Sequence, residues 1–299
     1  MLRTLLFLGL ATAYCFTSKA QQYVDLVKFD YTMTPPNKFD SSDLTTRMQE
    51  INGDFTVPIK FGENNAFLTG ITYEKTRASF DPGRFEESAT GITWKLGLKL
   101  EHSENWSGTY LFLPKVSSDM GPTTARDFQF GGAVLMKYKK SDRFNYKFGG
   151  YYNQELFGPF FVPIFGFYYL SENEKFEAKA LLPLSVGLNY NFAGNFSTGM
   201  TYRGQIRSYD MTQSYGNEEE RYLARSTNEA YVYLQYAMPN GIHFQIHGGH
   251  SIGRNYRVYN EKVPFSMPLF YFNDNRTQLN TDFADGWLFK VAAFYRLKL

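Results

Sequence analysis

Cysteine is almost missing from this chain: Cys15 is the only one among 299 residues. It falls within the first apolar stretch, so disulfides and thiolate metal sites are not available to stabilise the rest of the chain. Long apolar runs are missing too. After the N-terminal stretch nothing approaches the ~20 consecutive apolar residues that a membrane-spanning helix requires. An excess of one charge is lacking as well, because 31 Lys and Arg stand against 29 Asp and Glu for a net +2. With no basic cluster, that balance speaks against a nucleic-acid partner. Beyond Gln21 helical periodicity is essentially absent.

The N-terminus carries an export signal. Met1-Leu2-Arg3 gives a short positive start, Leu5 to Phe16 an apolar core, and Ser18-Lys19-Ala20 small residues at −3 and −1 of a cut before Gln21. This layout predicts a secretory signal over 1–20 and a single mature domain over 21–299. A lipoprotein cut before Cys15 fits poorly, because bulky Tyr14 precedes it. The full chain combines 18% aromatics (29 Phe, 23 Tyr) with a mean hydropathy of −0.39. Rich in aromatics yet polar on average, it suits a membrane β-barrel, which needs apolar residues only at alternate positions.

The alternation is explicit. Ile92, Trp94, Leu96, Leu98 and Leu100 oppose Thr93, Lys95, Gly97, Lys99 and Glu101. Phe128, Phe130, Val134, Met136 and Tyr138 oppose Gln129, Gly131, Ala133, Lys137 and Lys139, and Phe196, Met200, Tyr202 and Ile206 oppose Ser197, Thr201, Arg203, Gln205 and Arg207. The last segment sets Trp287, Phe289, Val291, Ala293, Tyr295, Leu297 and Leu299 against Lys290, Ala292, Arg296 and Lys298. Period two at this length puts one face in apolar and the other in polar surroundings.

The connectors alternate short and long. Tight links at Gly62 to Asn65, Ser103 to Asn105, Ser141 to Arg143, Ser171 to Glu174, Ala193 to Asn195 and Pro239 to Gly241 are separated by longer ones. The long set is Pro35 to Asp43, Phe80 to Ala89, Ser117 to Arg126, Glu155 to Pro159, Ser208 to Thr227 and Tyr259 to Gly286. Outer-membrane barrels show this sidedness, with short periplasmic turns and long external loops. Aromatics beside the short turns (Phe61, Trp106, Tyr138, Phe144, Phe192, Phe196) predict an interfacial girdle. Twelve strands are unambiguous. A reversal at Leu182-Pro183-Leu184 adds two and gives 14, with 12 as the alternative if those two merge into their neighbours. The expected fold is thus an all-β, transmembrane, antiparallel up-and-down barrel.

Four stretches carry a resemblance: the signal end Ala20-Gln21, Leu156-Phe-Gly-Pro-Phe-Phe-Val-Pro-Ile164, the Leu182-Pro183 turn and Gly248-Gly-His-Ser-Ile-Gly-Arg254. The chain resembles an uncharacterised outer-membrane β-barrel family of Bacteroidota, domain of unknown function 6268. The resemblance covers nearly the whole mature chain and implies a fold and a membrane but no catalytic residue. It departs at the end, where such barrels usually carry Phe and this chain has Leu299.

Three places could carry chemistry. Gly249-His-Ser-Ile-Gly253 has the serine-hydrolase spacing but lies within a strand, without the strand-to-helix turn that exposes the nucleophile. His247 and Ser251 share a face about 13 Å apart, given the strand rise, and His250 points away from Ser251, so neither pair forms a dyad. His243, Gln245 and His247 read as lumenal hydrogen-bonding residues, because the two His stand too far apart for one ion. Glu218-Glu219-Glu220 reads as a solvated external loop. No metal and no cofactor are expected. The collective signal is the lumen. Lys60, Lys95, Lys99, Lys137, Lys147, Arg203, Arg207, Lys290 and Arg296 point inward by parity, against Asp30, Glu50, Asp54, Glu74 and Glu101, with His243 and His247 beside them.

These residues support three readings. The first is a non-enzymatic channel or binding barrel for small anionic or apolar solutes. The second is a plugged structural or interaction barrel, whose last loop (Pro264, Phe265, Pro268, Phe270, Tyr271, Phe272) docks a partner or folds inward. The third is an outer-membrane lipase or deacylase. Expected partners are outer-membrane lipid and lipopolysaccharide, the barrel-assembly machinery during insertion, and an unidentified partner at the external loops.

Overall fold

The computed structural model describes residues 23–211, 214, 220–268 and 270–298. The expected signal and its cut after Ala20, the pair Glu218-Glu219 and the terminal Leu299 lie outside these residues. The described strands, in chain order, are β1 Tyr23–Met33, β2 Asn37–Phe39, β3 Ser42–Thr46, β4 Gln49–Phe61, β5 Asn65–Ala78, β6 Glu87–Glu101 and β7 Trp106–Ser118. They continue with β8 Phe128–Ser141, β9 Phe144–Glu155, β10 Gly158–Leu170, β11 Phe176–Leu182, β12 Ser185–Ala193 and β13 Phe196–Asp210. The series ends with β14 Tyr222–Ala237, β15 Ile242–Ser251, β16 Asn255–Tyr259, β17 Phe265–Met267, β18 Phe270–Phe272 and β19 Trp287–Lys298.

Fourteen of them, β1, β4 to β15 and β19, close an antiparallel up-and-down barrel. The seam is β19 against β1, from Tyr23↔Lys298 to Met33↔Phe289. Both ends of the described chain therefore reach the rim that carries the short turns. The alternation sorts as expected: Phe29, Phe55, Ile59, Trp94, Leu96, Phe112, Phe130, Phe165, Met200, Val232, Ile246 and Val291 are exposed on the outside. Rows of exposed large apolar side chains suit contact with lipid tails and are costly in water.

Two expected long loops are corrected. Glu155 to Pro159 is a tight turn of Leu156 and Phe157, because Phe157 inserts fully into the interior. Gly158 makes the turn possible at φ +122, where a β-carbon would lie 2.3 Å from the Val263 carbonyl oxygen. The stretch Ser208 to Thr227 is strand at both ends: β13 runs to Asp210, β14 starts at Tyr222, and they pair through Asp210↔Tyr222. Ser208, Asp210, Arg225 and Thr227 are buried strand residues inside the barrel.

The ends of β13 and β14 leave the wall. β12 pairs with β13 only as far as Ser185↔Arg203. Beyond that point β13 crosses the mouth and meets β7 at Asp210↔Ser118. Asp119 N–H donates to the Asp210 carbonyl at 2.8 Å, and Ser117 Oγ donates to that of Ser208 at 2.7 Å. β16 continues this sheet on the other edge of β14, from Tyr222↔Tyr259 to Ser226↔Asn255. The crossing sheet is packed on both faces. Tyr209, Leu223, Tyr256 and Val258 join Met48, Phe80 and Leu288 on one side. Tyr222, Tyr259, Ile206 and Ala224 join Phe157, Phe160 and Val162 on the other.

Candidate functional site: a basic cavity below a filled mouth

The outer half of the interior is occupied by buried ion pairs. Lys115 Nζ lies 3.2 Å from Glu155, with side chains 4% and 0% exposed. Glu155 also accepts from the Ser208 backbone N–H at 2.8 Å and from Asn153. Arg225 pairs with Glu50, which also accepts from Tyr256 at 2.9 Å. Glu74 accepts from Gln205 at 2.8 Å and from Tyr209 at 2.9 Å, with Arg207 at 3.5 Å. Buried charges persist only when paired and hydrogen-bonded in this way. The sheet crossing the mouth is therefore anchored on β4, β5, β7 and β9.

Below it lies a cavity of about 960 Å³. Its cations are Lys147, Lys179, Arg203, Arg207 and Lys290, and among the described residues no Asp or Glu lines it. Phe160, Val162, Leu181, Leu184, Ile206 and Tyr271 supply apolar wall. Three of the cations have an acidic neighbour: Arg207 at 3.5 Å from Glu74, Lys179 at 3.6 Å from Glu177 and Lys290 at 4.0 Å from Asp30. Among the described residues, Lys147 and Arg203 have no carboxylate within the 4.0 Å of an ion pair.

The residues proposed from sequence as lumenal do not form one group. Arg203, Arg207 and Lys290 meet at this cavity. Lys99, Glu101 and Lys137 sit apart, lining a small cleft at the short-turn rim with Ser103 and Ser107. Lys95 is held by Asp54 at 2.8 Å and by Thr56. Arg296 grips Asp25 at 2.7 Å and 3.2 Å and stacks over Tyr23. His243 stacks on Phe294 at 4.7 Å, and His247 sits between Tyr231 and Tyr233, 3.1 Å from Gln245. Sequence reading missed Lys179, Lys115 and Glu155. Lys179 shares a face with Glu177, opposite Ala178 and Ala180, and Lys115 shares one with Ser117, opposite Pro114 and Val116, so strand parity could have found both.

The aromatic set near the short turns lies in ring contact: Trp106 with Tyr138 at 5.0 Å, Phe192 with Phe196 at 6.5 Å, and Phe144 with Tyr146 at 4.8 Å. Phe61, Trp106, Phe192 and Phe196 are exposed. In the hydrolase-like stretch, Ser251 is buried and bonded to Gly286 across 3.4 Å, while His250 lies edge-on to Trp287 at 5.3 Å. Glu220 ion-pairs with Arg126 at 3.1 Å.

A family model described as domain of unknown function (DUF6268) matches residues 17–290. The chain belongs to that family. No curated protein matches this DUF6268 member. Among solved structures it is similar to the TodX monoaromatic hydrocarbon channel deltaS2 mutant, at TM-score 0.41 and 8% identity, covering 93% of this chain and 91% of that one. It is also similar to Pseudomonas aeruginosa OccK7 (OpdD), at TM-score 0.32 and 11% identity over 93% and 99%. A third likeness is to the outer membrane protein opdK of Pseudomonas aeruginosa, at TM-score 0.29 and 10% identity over 92% and 100%.

Proposed function

We propose that this chain is a non-enzymatic outer-membrane barrel, exported with cleavage after Ala20, that takes small anions with an apolar part into its basic cavity. The observation carrying this reading is the lining itself: among the described residues, five cations, no carboxylate, and apolar wall between them. A cavity lined by one sign of charge attracts the other and favours anions. Apolar surface beside the cations rewards a hydrocarbon tail at about 25 cal/mol per Å² buried. In this reading Lys99, Glu101, Lys137, Lys95, His243, His247 and Arg296 tune the lumen on the periplasmic side. The aromatic row from Phe61 to Phe196 is the girdle at that interface, and lipopolysaccharide surrounds the external loops.

The test is equilibrium binding of radiolabelled octanoate and octanol to the barrel in lipid nanodiscs, with empty discs subtracted. Octanoate should bind more tightly than octanol. Replacing Lys147 and Arg203 by Gln should weaken octanoate about tenfold, equivalent to ~1.4 kcal/mol, and leave octanol unchanged. Equal binding of the two probes, or none above empty discs, would overturn the reading.

One observation favours the alternative of a plugged interaction barrel: the filled mouth, beside which Phe270 and Phe272 stand 63% and 49% exposed. Conductance in planar bilayers separates the two, since a sealed barrel that also fails to bind octanoate supports the alternative.

A further inference from the structure

The basic cavity touches both faces of the wall. Along the part of β13 that lies in the wall it is lined by Thr201 and Arg203, whose parity is lumenal, and also by the intervening Tyr202. Along β12 it meets Ser185 and Gly187 and also Val186, and along β11 both Lys179 and Ala180. Successive strand residues point to opposite faces. A cavity confined to the lumen would touch one set, so this one passes through the sheet.

The ladders show where. β10 pairs with β11 only from Phe165↔Leu182 down to Leu170↔Glu177. Above Phe165, β10 continues to pair with β9 up to Gly158↔Glu155. On the opposite edge, among the described residues, it has only the Phe160↔Ser266 bridge, with Ser266 Oγ donating to the Pro159 carbonyl at 3.1 Å. Gly204 N–H of β13 still donates to the Leu184 carbonyl at 2.9 Å, and above it β13 pairs with β14 alone, among the described residues, until it reaches β7. Between these two edges the wall is missing, and Pro183 and Leu184 form its sill. The sill lies deep in the membrane: the 7 residues of β11 climb about 16 Å at a tilt of about 45°, roughly half of a ~30 Å hydrocarbon layer. Apolar side chains exposed on the outside surround the gap, with Phe165 at 65% beside the sill, Phe161 at 36% above it and Ile252 at 57% on the far side. The gap therefore faces lipid.

We infer that the cavity exchanges its ligand sideways with the outer leaflet, through the gap between β10 and β13, and not through the mouth. This rests on the proposed binding of amphipathic anions. The route suits that class: the tail enters from lipid past Val186, Tyr202 and Ile206, and the carboxylate meets Arg203 and Lys147 inside. A strongly hydrated dianion has no such path.

The experiment uses the full chain in nanodiscs and stopped-flow binding of dansyl-undecanoate. Val186→Trp with Asn228→Trp narrows the gap without removing a cation. Association should slow at least about tenfold in that variant, a change readable within the usual span of rate effects, with succinate failing to compete in either protein. Wild-type rates in the narrowed variant would overturn the lateral route while leaving the binding reading intact. No binding to the wild type would sink the binding reading instead. Should the Trp variant fail to fold, a nitroxide at Ser226→Cys, the single cysteine left once the signal is removed, gives a second measurement. It should relax strongly with lipid-dissolved oxygen, and weakly with a water-soluble nickel chelate. The opposite order overturns the proposal.

Discussion

The two halves of the interior meet the same problem, charge inside a closed wall, and solve it differently. In the outer half every named carboxylate has its cation or tyrosine within reach, and the members other than Arg207 are largely buried. In the inner half, among the described residues, cations outnumber acids around an open cavity and Lys147 and Arg203 have no carboxylate within ion-pair distance. Paired burial makes a rigid stopper, whereas unpaired charge around a cavity of about 960 Å³ leaves a demand that a ligand can meet. The difference comes from β13 and β14, whose ends carry complementary side chains to the far wall only on the outer side.

That contrast can be broken at its strongest point. Arg225→Met leaves Glu50 buried without its cation, a change that costs about 3–5 kcal/mol where one partner of a buried pair is lost. The expected outcome is selective loosening of residues 204–210 and 222–227, read by hydrogen exchange, together with raised conductance. Unchanged exchange there would show that the pair does not hold the crossing sheet. Phe157→Ala should weaken the same region by about 3 kcal/mol through the cavity it leaves, measured as a lowered unfolding midpoint. Lys147→Met, the mirror change in the inner half, should alter stability by less than about 1 kcal/mol, because no paired partner is stranded. A loss as large as that of Arg225→Met would erase the distinction between the halves.

The smallest effect concerns the external loop that ends at Gly286. Burial draws the Asp285 carboxyl upward, but the backbone N–H groups of Arg254 and Gly253 hold it below its ordinary range. A carboxylate lowered in the folded state stabilises the loop above its unfolded value and loses that contribution as pH falls through the lowered one. Limited proteolysis of residues 273–286 should therefore accelerate at acid pH in the wild type. In Asp285→Asn the pH dependence should flatten, and a profile that still tracks the wild type would assign the effect elsewhere.

The wall is legible in the sequence because alternation repeats wherever lipid lies on one side and the interior on the other. Trp94 to Leu98 and Trp287 to Val291 show it without help from any other strand. The Leu182-Pro183-Leu184 reversal is legible from proline chemistry, and it decides the strand number. The crossing sheet is not legible. Ser208, Asp210, Arg225 and Thr227 look like loop residues in a sequence, and only partners such as Ser117, Glu155, Glu50 and Thr76 make this stretch interior. Those partners are 53 to 175 residues away, and no local pattern reports them. The proposed lumenal residues rest on parity alone. Parity gives a direction but not a height, which is why Lys99 and Lys137 fall at the rim while Arg203 and Lys290 meet at the cavity.

The shortness of β11 and β12 also bears on the surrounding membrane. A barrel with one low arc presents an uneven apolar band to its bilayer, and mismatch costs fractions of a kcal/mol per Å. Lipid beside Pro183 must thin or splay to match that arc, while lipid around β4 to β8 stays near full thickness. The protein thus carries a fixed dimple on one flank as it diffuses, and neighbouring molecules in a crowded leaflet would feel it as a direction.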